Sequence, residues 1–485
     1  MHCKKAMYSP CYAFFLNNII MQEYYVLVPK SLNLEQRLSK FPPDFELSRD
    51  YCHYFISELI KESCNKDTEE YGSFESVINH FIPRCAGINQ TIYRNSKQNI
   101  NYLYQNFGGE GRMLWKRNYK SGSCYAYHLP KYYWGDGKLE MYCISEKTFA
   151  RKVKKNNAPT IDNTVRKRFD FTRGYFDVTR FELDAESALN ELYSDYVQTG
   201  DYNKYLLNAQ RIIDFKNGCF NFYHKPETDG RLHTAITSFS KLCRKYLKYD
   251  GENLAEVDLS SSIPFFLSYI LSIPTTCGET KAGILCAQLC SQDILYHYMI
   301  VESLVKPSDR EIANFRELVL NNQLYEYFTD SFMNLPNFES SFEIMFERPF
   351  DGDEDDLRKY TKKKFLAMLF AHPKYYMQEQ AVFYNHFPKI YELTKKFKRV
   401  KFEGCVTFER HKRLSYLLFQ LESHFMVHTI AREINNTFKR KIPFFTLHDC
   451  LVVKESDLEQ VYELMHEIFI REIGYPPNMT TKIWK

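Results

Sequence analysis

Along this chain the alternation of apolar and polar positions changes character three times. From about Asp44 to Pro130, polar helical stretches lead to Ile100, Leu103, Tyr104 and Phe107 at helical spacing, closed by Gly108 and Gly109, and this pattern predicts a helix. Two strand-like runs follow, Met113 to Arg117 and Ser123 to Leu129, joined through Lys120, Ser121 and Gly122, which have turn chemistry. A helix followed by a basic hairpin predicts a winged helix, with an ordinary small α+β domain as the competing reading. In the first reading Asn95, Ser96 and Lys97 enter a groove while Lys116, Arg117 and Lys120 meet phosphates. Residues 150–168, with Arg151, Lys152, Lys154, Lys155, Arg166, Lys167 and Arg168, form a basic, weakly patterned stretch that reads as a linker. Helical pattern resumes beyond Asp184 through Leu189, Leu192, Tyr193 and Val197. The boundaries that follow are an N-terminal segment 1–43, an α+β domain 44–135 with a candidate winged helix, a basic linker and helices 136–224, and a chemistry-bearing part 225–485.

Composition narrows the class. At 485 residues, with 44% hydrophobic and 26% charged, the chain can bury several cores and is neither a peptide hormone nor a disordered segment. The formal charge of +4 neither demands nor forbids an anionic partner, so the clustering of charge decides. Fourteen cysteines form no C-x-x-C pair, the closest spacing being Cys286 with Cys290, and no zinc or redox motif can be read from them. Lys4 and Lys5 followed by Tyr12 to Leu16 loosely mimic a signal peptide, but Asn17 and Asn18 interrupt the apolar run. No apolar run reaches the roughly 18 residues of a membrane span. A cytoplasmic protein with reduced thiols, and no membrane partner, is the expectation.

Two segments set an aspartate in or at the end of an apolar strand-like run: Leu254 to Ser262, which contains Asp258, and Pro443 to Val453, which contains His448 and Asp449. An ionised carboxylate in such surroundings is costly unless it is hydrogen-bonded or faces a cation, and the local sequence supplies neither. A shared pair of divalent ions would satisfy both groups, and held about 3.5–4 Å apart such ions support phosphoryl transfer. Taken singly, Asp258 also reads as a helix cap before Ser260, and His448-Asp449 as a hairpin turn. Further along, Arg358, Lys362 and Phe370 share one side of a predicted helix. That side can hold a triphosphate and stack a base or sugar, or it is an amphipathic helix with solvated lysines.

The order of these segments resembles family A DNA polymerases and the related single-subunit phage-type RNA polymerases, over about residues 225–460. The run Thr228-Asp229-Gly230-Arg231-Leu232-His233-Thr234 looks like that family's T-G-R-L-S-S stretch. Val257 to Ser260 looks like motif A, Arg358 through Phe370 like motif B, and Leu447-His448-Asp449 like motif C, with Leu417 to Ser423 similar to a Gln-bearing helix near the primer. The resemblance implies an α+β fold: a right-hand palm with an antiparallel sheet, helical fingers and a small thumb, the thumb drawn from the helices of 136–224. It implies that Asp258 and Asp449 are catalytic and, with the carbonyl of Leu259, hold two Mg²⁺ ions, for which Mn²⁺ can substitute. Arg358, Lys362 and Phe370 would bind the incoming nucleotide, and Arg231, Gln420 and His448 the primer or template. The chain departs from the pattern where Ile263 stands five positions after Asp258 in place of the family's Glu, where Cys450 replaces a carboxylate, and where Phe370 replaces the Tyr of the RNA enzymes. Without that hydroxyl the choice of sugar is open. The interval from Asp258 to Arg358 is also longer than usual, with an acidic run Asp351 to Asp356 read as a solvated loop.

The function these residues imply is template-directed nucleotidyl transfer, a DNA polymerase acting on DNA primer-template and deoxynucleoside triphosphates in replication of a phage or mobile element. The alternatives are a catalytically inactive replication-initiator-like DNA-binding protein and an untemplated terminal transferase. Asp170, Asp177 and Asp184 form no exonuclease signature. The basic clusters Lys395 to Arg399, Arg410 to Arg413 and Lys439 to Lys441 are expected to track a nucleic-acid backbone, with solvated helix faces as the competing reading.

Overall fold

An Asp-Gly pair organises the main sheet. Asp250 and Gly251 both adopt positive φ, 51° and 80°, which suits a two-residue hairpin whose twist matches the flanking strands. This turn folds strand Leu247–Tyr249 back on strand Glu252–Leu259. The longer strand then pairs antiparallel with Cys450–Lys454 along one edge and Met479–Ile483 along the other. Phe444–Leu447 extends the first edge, and Phe181–Leu183 pairs with Leu247–Tyr249, giving six strands in one curled antiparallel sheet. Residues 254–257 and 451–453 are buried, as expected for central strands covered on both faces.

The computed structural model describes residues 23–64, 72–108, 111–118, 124–273, 285, 288–289, 292–401 and 409–485. The signal-like start, the turn at Lys120 to Gly122, and Cys286 and Cys290 lie outside the described residues. Among the described residues no helix is long and apolar enough to cross a membrane.

Directly after the central strand, helix Ser262–Leu271 is buried along its whole length, because its residues are apolar all round. Phe265 meets Phe469 edge-on, and Phe266 stacks on Phe425 with ring centres 5.6 Å apart. Those partners come from helix Leu458–Ile473 and from the π-helical stretch His424–Ala431 that continues helix Lys412–Ser423. The remaining helices form a layer of their own, in which Phe328 gathers Phe365, Phe383 and Phe387. Helix Glu354–Phe370 belongs to this layer. The acidic run before it is not a solvated loop throughout: Asp353 accepts from the Asp356 amide as N-cap, and Glu354, Asp355 and Asp356 occupy the first turn, where the helix dipole favours negative charge.

Residues 147–157 and 163–168 of the expected basic linker are helical. Strand Tyr24–Pro29 pairs with Leu139–Ile144, so the N-terminal segment and the start of that stretch share one ladder across the intervening 44–135 region.

One residue of the basic clusters turns inward. Lys398 is buried, and its ammonium donates to the carbonyls of Met368, Leu369 and Ala371 at 3.2, 3.0 and 3.1 Å, closing the C-terminal end of helix Glu354–Phe370. Its charge is spent on a helix end and does not track a backbone. Lys398→Met keeps the stem and removes the donors, leaving buried carbonyls unpaired, and is expected to cost about 2–4 kcal/mol. Equilibrium urea unfolding measures it, and an unchanged midpoint would refute the capping role.

Candidate active site

The central strand ends at Leu259, and the next residues turn sharply: Ser261 lies in the left-handed region at φ 58°, with the chain entering helix Ser262–Leu271 immediately after. The Leu259 amide donates to the carbonyl of Asp449 at 3.1 Å, and Asp258 pairs with Cys450 across the ladder. A regular ladder would place Asp449 opposite Leu259, on the face away from Asp258. Asp449 instead occupies a two-residue turn with His448, whose φ of 59° breaks the alternation, and both carboxylates line one cavity of about 320 Å³.

The opposite wall is built by the helical layer. Arg358, Lys362 and Leu366 come from helix Glu354–Phe370, and Asn322 and Tyr325 from the end and start of two preceding helices. Arg358 donates to Glu326 and, at 3.2 Å, to Asn322 Oδ1. Tyr325 sits beneath both cations, its ring centre 5.7 Å from the Arg358 guanidinium and 5.9 Å from the Lys362 ammonium. Ile263 lines the same cavity.

Burial first, and then the Asp449 charge, pushes the Asp258 carboxyl up to about 6, against the pull of Lys362 and Lys241. Burial also raises Asp449, against Arg231 and Lys362. Both carboxyls are thus raised by burial, Asp258 by its neighbour as well, and neither makes an ion pair among the described residues although Lys362 lines the same cavity. Oxygen donors of this kind suit Mg²⁺ or Mn²⁺. The Asp258 and Asp449 carboxylates on one cavity fit such an ion, although among the described residues no cluster of three or more His, Cys, Asp or Glu is arranged to hold a metal. Any remaining ligands would have to come from water or substrate.

The other expected residues lie beside this cavity. Arg231 donates through Nε to Glu422 at 2.9 Å and packs over the Phe419 ring, 4.2 Å from its centre. Phe370, at the end of its helix, also packs against Phe419, with ring centres 5.4 Å apart. Gln420 donates to the Thr228 carbonyl at 2.9 Å. Gly230 meets Gln420 at close range: φ is 63°, and a Cβ there would lie 3.0 Å from Gln420 Cγ, so the position favours glycine. His448 is held neutral, its pKa lowered to about 4 by burial and then by Arg231 and His233.

Glu422 is a residue the motif spacing did not single out. It is fully buried, accepts from Arg231 and from Ser262 Oγ at 2.7 Å, and is pushed up to about 7 by burial, against the pull of Arg231. It therefore ties the Arg231 loop to the start of the helix behind Asp258. Its signal was present in the sequence: an acidic residue four positions after Leu418, on the apolar stripe of Leu414, Leu417, Leu418 and Leu421. Asn322, Tyr325 and Leu366 left no comparable signal.

A carboxyl whose folded pKa lies above its unfolded value contributes stability that is complete below pH 3.8 and is lost as pH rises through about 6. Asp258→Asn is therefore expected to raise the melting temperature in EDTA at pH 7.5, by the equivalent of about 1–2 kcal/mol once solvent access to the site is allowed for, and to bring no gain below pH 4. Thermal denaturation of the two proteins across that range measures it. Equal stability at pH 7.5 would show that the paired carboxylates carry no strain.

No protein-family model matches the chain, and no curated protein matches it by sequence. A solved structure, the POL domain of Pol1 from M. smegmatis in complex with DNA primer-template and dNTP, is similar to 60% of this chain at 11% identity, with a TM-score of 0.34. The likeness spans 55% of that domain's chain.

Proposed function

We propose that the chain is a DNA polymerase that extends a primer 3′-hydroxyl along a template, with the curled sheet as palm and the helical layer as fingers. The observation that carries this reading is the convergence of Asp258 and Asp449 on one wall of a cavity whose facing wall presents Lys362 and Arg358. In the reaction the primer 3′-hydroxyl gives its proton to water, its oxygen bonds to the α-phosphorus of the nucleotide, the α–β phosphoanhydride breaks, and pyrophosphate leaves. Two Mg²⁺ ions, held by Asp258, Asp449 and the Leu259 carbonyl, would lower the charge on the attacking and leaving oxygens.

The chain's own residues do the rest by position and charge. Lys362, near enough to both carboxylates to lower their proton affinities, faces the space a triphosphate would occupy. Arg358 reaches the same space from one turn earlier on its helix once it releases Glu326. Phe370 and Phe419 provide an aromatic end wall against which a base pair would pack. Arg231 and Gln420, fixed by Glu422 and the Thr228 carbonyl, and His448 in its turn, border the primer side. Ile263 stands in the cavity without a polar group to meet a ribose hydroxyl, so sugar selection rests on shape.

Primer extension with defined templates tests the reading. Asp258→Asn and Asp449→Asn are each expected to lower the rate at least 10³-fold while leaving primer-template binding within a few-fold. Lys362→Ala is expected to raise KM for the nucleotide at least tenfold and also to lower kcat. Extension that ignores template sequence would identify a terminal transferase. Absence of any magnesium-dependent extension by the wild-type chain would point to a binding protein with a silent cavity.

A further inference from the structure

A basic segment lies away from the cavity. Residues 82–128 hold seven lysines and arginines against one acidic residue, Glu110, a net +6 where the whole chain sums to +4, so the remainder is net negative. The fold of this segment is specific. Helix Arg49–Ser63 is followed by the short helix Phe74–Ile78, strand Ile82–Arg84, helices Ala86–Ile92 and Ser96–Tyr104, then strands Trp115–Arg117 and Tyr125–His128. The last strand lies between the other two, antiparallel to both. This is the chain order and strand order of a winged helix, in which the second helix of the pair is the one presented outward.

Local contacts hold that helix firmly by its inner face. Asn99 accepts from the Ser48 amide at 2.8 Å, Leu103 accepts from the Leu114 amide at 3.0 Å, and Ile100 and Leu103 are in the core. Ser96 is buried as well, so it faces the core and not a groove; the outward face is Lys97 and Gln98 with half-exposed Asn101 and Tyr104. On the neighbouring strand Lys116 is held between rings, 3.9 Å from the centre of Tyr125 and 4.7 Å from that of Tyr104, and Arg117 lies 3.9 Å over Phe81. Arg84 is the exception, paired inward with Glu58. Lys97, Lys116 and Arg117 make no ion pair among the described residues, and stacking fixes two of them without neutralising them.

We propose that this N-terminal module is a second nucleic-acid site that binds double-stranded DNA away from any 3′ end, with helix Ser96–Tyr104 in the major groove and Lys116 and Arg117 on flanking phosphates. A convex polar helix fits a groove about 12 Å wide, and Gln98 carries an amide of the kind that pairs with adenine edges, while the Asn101 amide accepts from the Tyr104 hydroxyl at 2.9 Å and would have to exchange that bond. The major groove of double-stranded RNA is too narrow for a helix, and the rings of Tyr104, Tyr125 and Phe81, on which the bases of a single strand would stack, are already covered by Lys116 and Arg117. The inference is independent of the catalytic reading.

The test uses the full chain and a fluorescent 25-base-pair DNA dumbbell, closed by loops at both ends, followed by anisotropy across a salt series. The wild type is expected to bind it. Lys97→Glu, Lys116→Glu and Arg117→Glu together are expected to weaken binding at least 30-fold and to lower the log–log salt slope by about 3, while extension of a short primer-template at saturating concentration stays unchanged. Lys362→Ala, in the other site, is expected to leave dumbbell affinity unchanged. If the reversal unfolds the module, the same three positions changed to Gln keep the comparison, with an expected loss of about tenfold. The proposal is overturned if the folded variants bind the dumbbell as the wild type does, if Lys362→Ala abolishes dumbbell binding, or if single-stranded DNA or an RNA dumbbell binds equally well.

Discussion

Two like charges held together in a partly dry cleft are the constraint around which the C-terminal part is built. Asp258 and Asp449 repel, and the chain brings them together only because the central strand is locked between two others and cannot shift register without exposing its buried side chains. The turns on either side of that strand end carry His448 and Ser261 in the left-handed region, where a side chain costs about 1 kcal/mol or more each. The His448 ring packs edge-on against His233, 5.5 Å between centres, which ties its turn to the strand that follows Arg231.

Around that pair the charges alternate by layer. Lys362 and Arg358 face the carboxylates across the cavity, and Glu422 lies behind them with Arg231. Glu422 would itself be an unfavourable buried charge, and its pairing with Arg231 and Ser262 turns that liability into a tether between the Thr228 to Thr234 loop, helix Lys412–Ser423 and helix Ser262–Leu271. The Arg231 loop is thus positioned through the same carboxylate that sits beside Asp449. A change at Glu422 would disturb geometry on both sides of the cleft without touching a substrate.

How much of this was legible in the sequence follows from where each signal is written. A bare aspartate within an apolar strand is a local contradiction, and Asp258 and Asp449 announced themselves for that reason. Arg358 and Lys362 were readable because one helix carries both. Lys398 was not, because its inward turn depends on where helix Glu354–Phe370 ends, a tertiary fact absent from the Lys395 to Arg399 run. The Asp351 to Asp356 run was misread because acidity suits both a loop and a helix N-terminus, and only the capping geometry of Asp353 separates the two. Tyr325 enters the cavity from a helix that the sequence offers as an ordinary core former, one aromatic among 37 tyrosines and 39 phenylalanines, and Asn322 from the turn before it, at φ 53°.

Part of the interval between Asp258 and Arg358 is helical. Helices Asp309–Leu320, Leu324–Met333 and Phe338–Phe346 lie within it, and they supply Tyr325 beneath the two cations, Asn322 at the rim and Glu326 as the resting partner of Arg358. The Arg358–Glu326 pair is partly exposed on both sides, and a pair of that kind is worth about 1 kcal/mol or less. A polyanion entering the cavity carries several charges and would meet Lys362 at once, so it can draw Arg358 from Glu326 at little cost. The segment 309–346 thereby gives the cleft a guanidinium held near the cavity by Glu326 and easily released to an anion.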